Sequence, residues 1–113
     1  MYDKHTVLGN CRAASGYQGA NVLNISAKHL FDLLDSHAQN GSGEFKRKCK
    51  DMLTNMNTRG WQITAGIHAG GIGGGGRAAD PRSHITLQIS NVGTYHLRLS
   101  TAGIGFRLME ITP

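Results

Sequence analysis

The chain has 113 residues, 39% of them apolar and 17% charged, and its twelve Lys and Arg against seven Asp and Glu give a formal net charge of +5. That length supports one domain with one modest core. It contains no apolar run of the ~18–20 residues that a membrane helix needs, and two cysteines, Cys11 and Cys49, leave room for a single disulfide but not for a disulfide framework.

The positive charge is spread along the chain, eight basic against five acidic residues in 1–60 and four against two in 61–113. A spread excess of this kind favours a polyanionic partner, either nucleic acid or an acidic protein. Residues 1–25 hold no continuous apolar run of the signal-peptide type, so a cytoplasmic site of action is expected. The same stretch is rich in Gly, Asn, Ser and Ala and reads as an N-terminal extension or linker remnant. A single domain is then expected over 26–113.

Ser26 is placed to cap a helix beginning at Ala27. Its apolar stripe is Ala27, Leu30, Phe31, Leu34 and Ala38, and Asn40-Gly41 stops it. Ser42 is placed to cap a second helix with the stripe Phe45, Cys49, Met52, Leu53 and Met56, ending at Gly60. Lys46-Arg47-Lys48 and Lys50 fall on its polar side. Such a run is ordinarily a solvated face, and here Lys46 and Lys48 are also candidates for nonspecific phosphate contacts.

At Trp61 the period changes from 3.6 to 2. Trp61, Ile63, Ala65 and Ile67 alternate with Gln62, Thr64, Gly66 and His68. Residues 68–77 hold six glycines in ten. They match neither the phosphate-loop nor the dinucleotide pattern and read as a flap or a long connection, with Arg77 and Arg82 at its far end. Ile85, Leu87 and Ile89 then alternate with His84, Thr86 and Gln88. Asn91-Val92-Gly93 reads as a hairpin turn. With the turn centred on Val92, His96 would fall opposite Gln88, and His84 and His96 would lie about 14 Å apart along the strands. Tyr95, Leu97 and Leu99 alternate with His96 and Arg98. The last strand, from about Gly105 to Thr112, is apolar on both sides, so its facing is ambiguous.

The expected fold is therefore α+β, with two N-terminal helices packed on one face of a three- to four-stranded antiparallel sheet. The other face would carry Gln62, Thr64, His68, His84, Thr86, Gln88, His96 and Arg98. His5, His29 and His37 are expected to be solvated surface.

An open face with several imidazoles and an arginine suits phosphodiester chemistry. Internal transesterification of RNA needs a base for the 2′-hydroxyl proton, an acid for the leaving 5′-oxygen and a cation for the phosphorane. Histidine serves either proton role because its ordinary pKa is near 6.5, and the guanidinium matches phosphate oxygens. His68, His84 and His96 are the acid/base candidates, Arg98 the cation and Thr86 an assisting hydroxyl. Thr64, Arg77, Arg82, Gln88, Lys46 and Lys48 are candidates to bind substrate. No metal or cofactor is required.

Three alternatives stand beside this. Three histidines can hold a hydrolytic zinc, although no acidic partner is evident on the same face. Ser83-His84-Ile85-Thr86-Leu87 resembles one half of the motif of the two-histidine phosphoesterases, whose second half would have to be His96-Leu97-Arg98. A small basic RNA- or protein-binding module needs no catalysis, but the face shows no aromatics for base stacking.

The element order, together with Thr64, His68, His84, Thr86, His96 and Arg98, resembles the superfamily of barnase-like, tRNA-cleaving colicin and RelE-type ribonucleases, to which C-terminal toxin domains of contact-dependent inhibition and Rhs proteins belong. The resemblance covers residues 26–113. It implies a metal-independent ribonuclease, often acting on tRNA, delivered from a larger secreted or surface-anchored parent into another bacterium and neutralised by an acidic immunity protein.

Overall fold

The computed structural model describes residues 1–12, 27–66, 84–101 and 106–113. Three helices precede four strands: α1 (Lys4–Gly9), α2 (Ala27–Asn40), α3 (Gly43–Thr58), β1 (Trp61–Gly66), β2 (His84–Ile89), β3 (Gly93–Thr101) and β4 (Phe106–Thr112). The strands form one antiparallel sheet in the order β1-β2-β3-β4. This is the expected α+β plan.

The helical stripes fold as their spacing dictates. Leu30, Phe31, Leu34 and Ala38 of α2 are buried, as are Cys49, Met52, Leu53 and Met56 of α3. They share one core with Trp61, Ile63, Ile85, Leu87, Ile89, Leu97, Leu99, Leu108 and Ile111 from the sheet. The turn between α2 and α3 requires Gly41, whose amide donates to the His37 carbonyl at 2.9 Å. A Cβ on Gly41 would collide with that carbonyl oxygen. Ser42 occupies the N-cap position of α3, but its side chain makes no capping hydrogen bond. Ser26 lies outside the described residues.

The N-terminal segment departs from expectation. Asp3 caps α1, its carboxylate accepting from the Thr6 amide at 3.1 Å. Val7 of that helix is fully buried in the core. Asn10 closes the segment onto the end of α3, its side-chain amide donating to the carbonyls of Met56 at 3.0 Å and Asn57 at 2.9 Å. These are carbonyls from the last turn of a helix, which lack intrahelical partners. Residues 1–12 are thus part of the fold and not an extension, because one apolar side chain and one capping amide find sites that composition does not reveal. Cys11 and Cys49 are free thiols and do not pair. Burial pushes the Cys49 thiol up to about 11.

Two bulges shape the sheet. In β1, Ile63 stands opposite Leu87 but Ala65 stands opposite Thr86, leaving Thr64 as the extra residue. In β4, Leu108 stands opposite Leu99 and Glu110 opposite Arg98, leaving Met109 as the extra one. A bulge resets the parity of its strand. Leu108 and Ile111, three residues apart, are therefore both buried, while Met109 is 47% exposed. This resolves the strand that looked apolar on both sides.

Two outcomes follow. Trp61 is 1% exposed and its indole N–H donates to the Val7 carbonyl at 2.8 Å. Trp61→Phe should lower unfolding free energy by about 1–3 kcal/mol in a urea titration, from the lost bond and the smaller ring; an unchanged midpoint would show that the bond contributes nothing. The second concerns Tyr2, whose hydroxyl donates to Asp35 at 2.6 Å. Burial, then the bond to the Asp35 carboxylate, push its phenol up to about 12 from 10.0. The folded state therefore holds this proton more tightly than the unfolded chain. The contribution is complete below pH 10 and is lost as pH rises toward 12. Stability measured across that range should fall less steeply for Tyr2→Phe than for the parent.

Candidate functional site

The sheet face away from the helices is polar, as expected. Thr64, Gln88, Thr94, His96, Arg98, Glu110 and Thr112 are exposed on it, and Gln62 and Thr86 are half-exposed. The alternation of β2 and β3 is unbroken, so their faces follow directly from the sequence.

The pairing of those strands is set by the turn. Ile89 pairs with Gly93, and the Val92 amide donates to the Ile89 carbonyl at 3.0 Å. Asn91 takes the left-handed conformation, φ 62°, which Asn tolerates better than other side chains with a Cβ. The turn therefore centres on Asn91 and not on Val92. Thr86 stands opposite His96, and His84 opposite Arg98. The expected pairing of His96 with Gln88 is corrected by one same-face step. The Cα positions of His84 and His96 are diagonal neighbours, of order 7–8 Å apart and not 14 Å.

Two side-chain pairs result. Thr86 Oγ1 and His96 Nδ1 are 3.2 Å apart and hydrogen-bonded. Arg98 Nε donates to Glu110 Oε1 at 3.1 Å. Glu110 is the acidic group on this face that sequence reasoning missed. Its position opposite Arg98 depends on the Met109 bulge, which no simple period anticipates. The open face therefore does carry an acidic group, against expectation. The remaining expected residues are less central. The Thr64 hydroxyl is engaged, donating to the Thr86 carbonyl at 3.2 Å beside the bulge. Gln88 is exposed one row away from His96, opposite Thr94. Lys46 and Lys48 belong to α3, on the other side of the sheet, and are not brought to this face. His37 is not solvated surface: it is half-buried, its ring edge-on to Phe45 at 4.9 Å.

The bulge at Thr64 also bears on His68. Gly66 stands opposite the buried Ile85, so the alternation running from Gln62 through Thr64 to His68 is interrupted. The parity used to place His68 on the open face does not carry across Thr64. His68, the glycine-rich stretch, Arg77 and Arg82 lie outside the described residues, and His84 is described through its backbone alone. Among the described residues no cluster of three or more His, Cys, Asp or Glu is arranged to hold a metal ion.

The arrangement has a definite chemical capacity. With Nδ1 engaged by Thr86, the Nε2 atom of His96 is the nitrogen left for a ligand. An imidazole that acts as base through Nε2 carries its proton on Nδ1, and an imidazolium that acts as acid carries protons on both. In either state Nδ1–H donates to Thr86 Oγ1, so the threonine is a positioning residue for both roles. Arg98 keeps its terminal nitrogens for an anion while Nε holds Glu110.

Comparison with known protein families, curated proteins and solved structures finds no match to this chain.

The Arg98 and Glu110 side chains are 47% and 53% exposed. Ion pairs so exposed contribute about 0–1 kcal/mol. A double-mutant cycle with Arg98→Ala and Glu110→Ala should give a coupling energy in that range. A coupling several times larger would make the pair a structural tie and not a replaceable one.

Proposed function

We propose that the protein is a metal-independent ribonuclease that cleaves by transesterification on the open face of its sheet. The observation that carries this reading is the pair of adjacent rows, Thr86 with His96 and Arg98 with Glu110, on one exposed face of a chain with a net charge of +5.

His96 and Glu110 are diagonal neighbours across β3 and β4, since His96 stands opposite Thr112 and Glu110 opposite Arg98. Their spacing, of order 7–8 Å between backbone positions, lets one phosphate sit between them. The Glu110 carboxylate takes the proton of the 2′-hydroxyl as its oxygen attacks phosphorus. His96, protonated, gives its Nε2 proton to the departing 5′-oxygen. The products are a 2′,3′-cyclic phosphate and a free 5′-hydroxyl. The Arg98 guanidinium turns from the carboxylate toward the phosphorane oxygens, an exchange of small cost because the exposed ion pair is weak. The backbone of His84 stands opposite Arg98, in the same row as the Arg98–Glu110 pair. The resemblance to bacterial toxin domains supports tRNA as one substrate and an acidic immunity protein as a partner.

The test is incubation of the purified protein with total cellular RNA, with and without EDTA, and mapping of the fragment ends. Cleavage that persists in EDTA and leaves cyclic phosphate ends is expected. His96→Ala should reduce it by about 10²–10⁴-fold, the range for lost acid/base catalysis, and Arg98→Ala should slow the bound-state reaction. Thr86→Val should cause a smaller loss, because it loosens the imidazole without removing it. Cleavage that requires zinc would favour the metal hydrolase, and binding without cleavage would favour a binding module. Full activity in the His96→Ala protein would sink the reading.

A further inference from the structure

On the helix side of the sheet a cavity of about 170 Å³ opens between α3 and the ends of β3 and β4. Lys48, Asp51, Met52 and Asn55 line it from one stripe of α3, and Tyr95, Ile111 and Pro113 from the sheet. Met52 and Ile111, each 3% exposed, provide an apolar floor, and Tyr95 is a half-buried wall. Among the described residues, no side-chain hydrogen bond or ion pair engages the Lys48 ammonium, the Asp51 carboxylate, the Asn55 amide or the Tyr95 hydroxyl. The cavity thus combines a small apolar slot with four polar heads that have no side-chain partner among the described residues.

Its volume is close to that of a cavity of about 150 Å³ that takes benzene. It is open to solvent on one side, and its apolar floor is of a size to seat one six-membered ring. The lining is balanced in charge: Lys48 stands at the rim and offers one contact for an anionic group, and Asp51 on the same stripe of α3 offers one acceptor.

We propose that this cavity binds the cytosine ring of a pyrimidine nucleotide. The ring lies on Met52 and Ile111 against Tyr95. The Asp51 carboxylate only accepts hydrogen bonds, so it takes the exocyclic amino group of cytosine. Uracil presents a carbonyl oxygen at that position and sets two acceptors against each other. The Asn55 amide donates to the acceptors on the ring, and Lys48 holds the phosphate. A free nucleotide and a cytidine within single-stranded RNA offer this same chemistry. The site does not depend on whether the open face cleaves RNA, since its ligands come from the other side of the sheet.

Titration of the isotopically labelled protein with CMP and with UMP, followed by amide chemical shifts, tests this directly. CMP should move the amides of Asn55, Tyr95 and Ile111 and bind about tenfold more tightly than UMP, as expected for a hydrogen bond to a charged acceptor. Asp51→Asn replaces an exposed side chain, leaves the fold intact and should erase the preference. His96→Ala should leave CMP binding unchanged even if it abolishes cleavage, which separates this site from the open face. An oligocytidylate that displaces CMP identifies RNA as the source of the ring, and one that fails to displace it identifies the free nucleotide. Equal affinity for CMP and UMP, shifts confined to Thr86, His96 and Arg98, or no response at millimolar nucleotide would overturn the proposal.

Discussion

Trp61 is the residue through which the layers of this protein are joined. Its backbone N–H donates to the Asn10 carbonyl at 3.1 Å, and its own carbonyl accepts from the Arg12 amide at 2.7 Å. Its indole N–H reaches the Val7 carbonyl at 2.8 Å. Residues 10–12 therefore run along the outer edge of β1 as a short parallel bridge at Trp61. One side chain satisfies a carbonyl of α1, fills the core and opens the first strand. Covering this end of an edge strand also removes donors and acceptors that would otherwise recruit another chain.

With the helical layer fixed in this way, the large apolar side chains described in the sheet face the helices, Met109 at the β4 bulge excepted, and the opposite face is left mainly to polar groups. Fully buried Ile85, Leu87, Leu97 and Leu99 lie under the strand residues that carry the open face. That packing gives His96 and Arg98 a rigid platform without burying them. Exposed groups on a rigid strand suit an anionic ligand: they are held in register, yet the Arg98–Glu110 ion pair is exposed enough to open at little cost. The two sides of the sheet are also chemically distinct. The open face offers an imidazole, a guanidinium and a carboxylate, whereas the cavity beside α3 offers an apolar slot with a polar rim.

The elements and their faces were legible in the sequence because they follow local periods. A helix must place residues three and four apart on one side, and a strand must alternate. The core residues of α2, α3, β2 and β3 therefore follow from composition and spacing. The N-terminal helix was not legible, because Lys4–Gly9 is too short for a periodic stripe and its one buried side chain, Val7, is unremarkable among polar neighbours. Three of the four residues of the candidate site were legible in the same way: His96, Arg98 and Thr86 sit on the face their alternation requires. Glu110 was not, because its strand changes parity at Met109.

The sequence by itself determined the α+β class, the order of the elements, the apolar inner face and the basic, histidine-bearing outer one. These depend on local geometry, which repeats every two or 3.6 residues whatever the partner. Only the tertiary structure decided which residues meet. Moving the turn centre from Val92 to Asn91 shifts each partner by two residues, so the faces survive while His96 exchanges Gln88 for Thr86. The bulges act in the opposite way: they change faces within a strand, and at Met109 they bring Glu110 to Arg98. Register and bulges are settled by how strands fit against one another and against the helices, a competition among long-range contacts that no local pattern encodes.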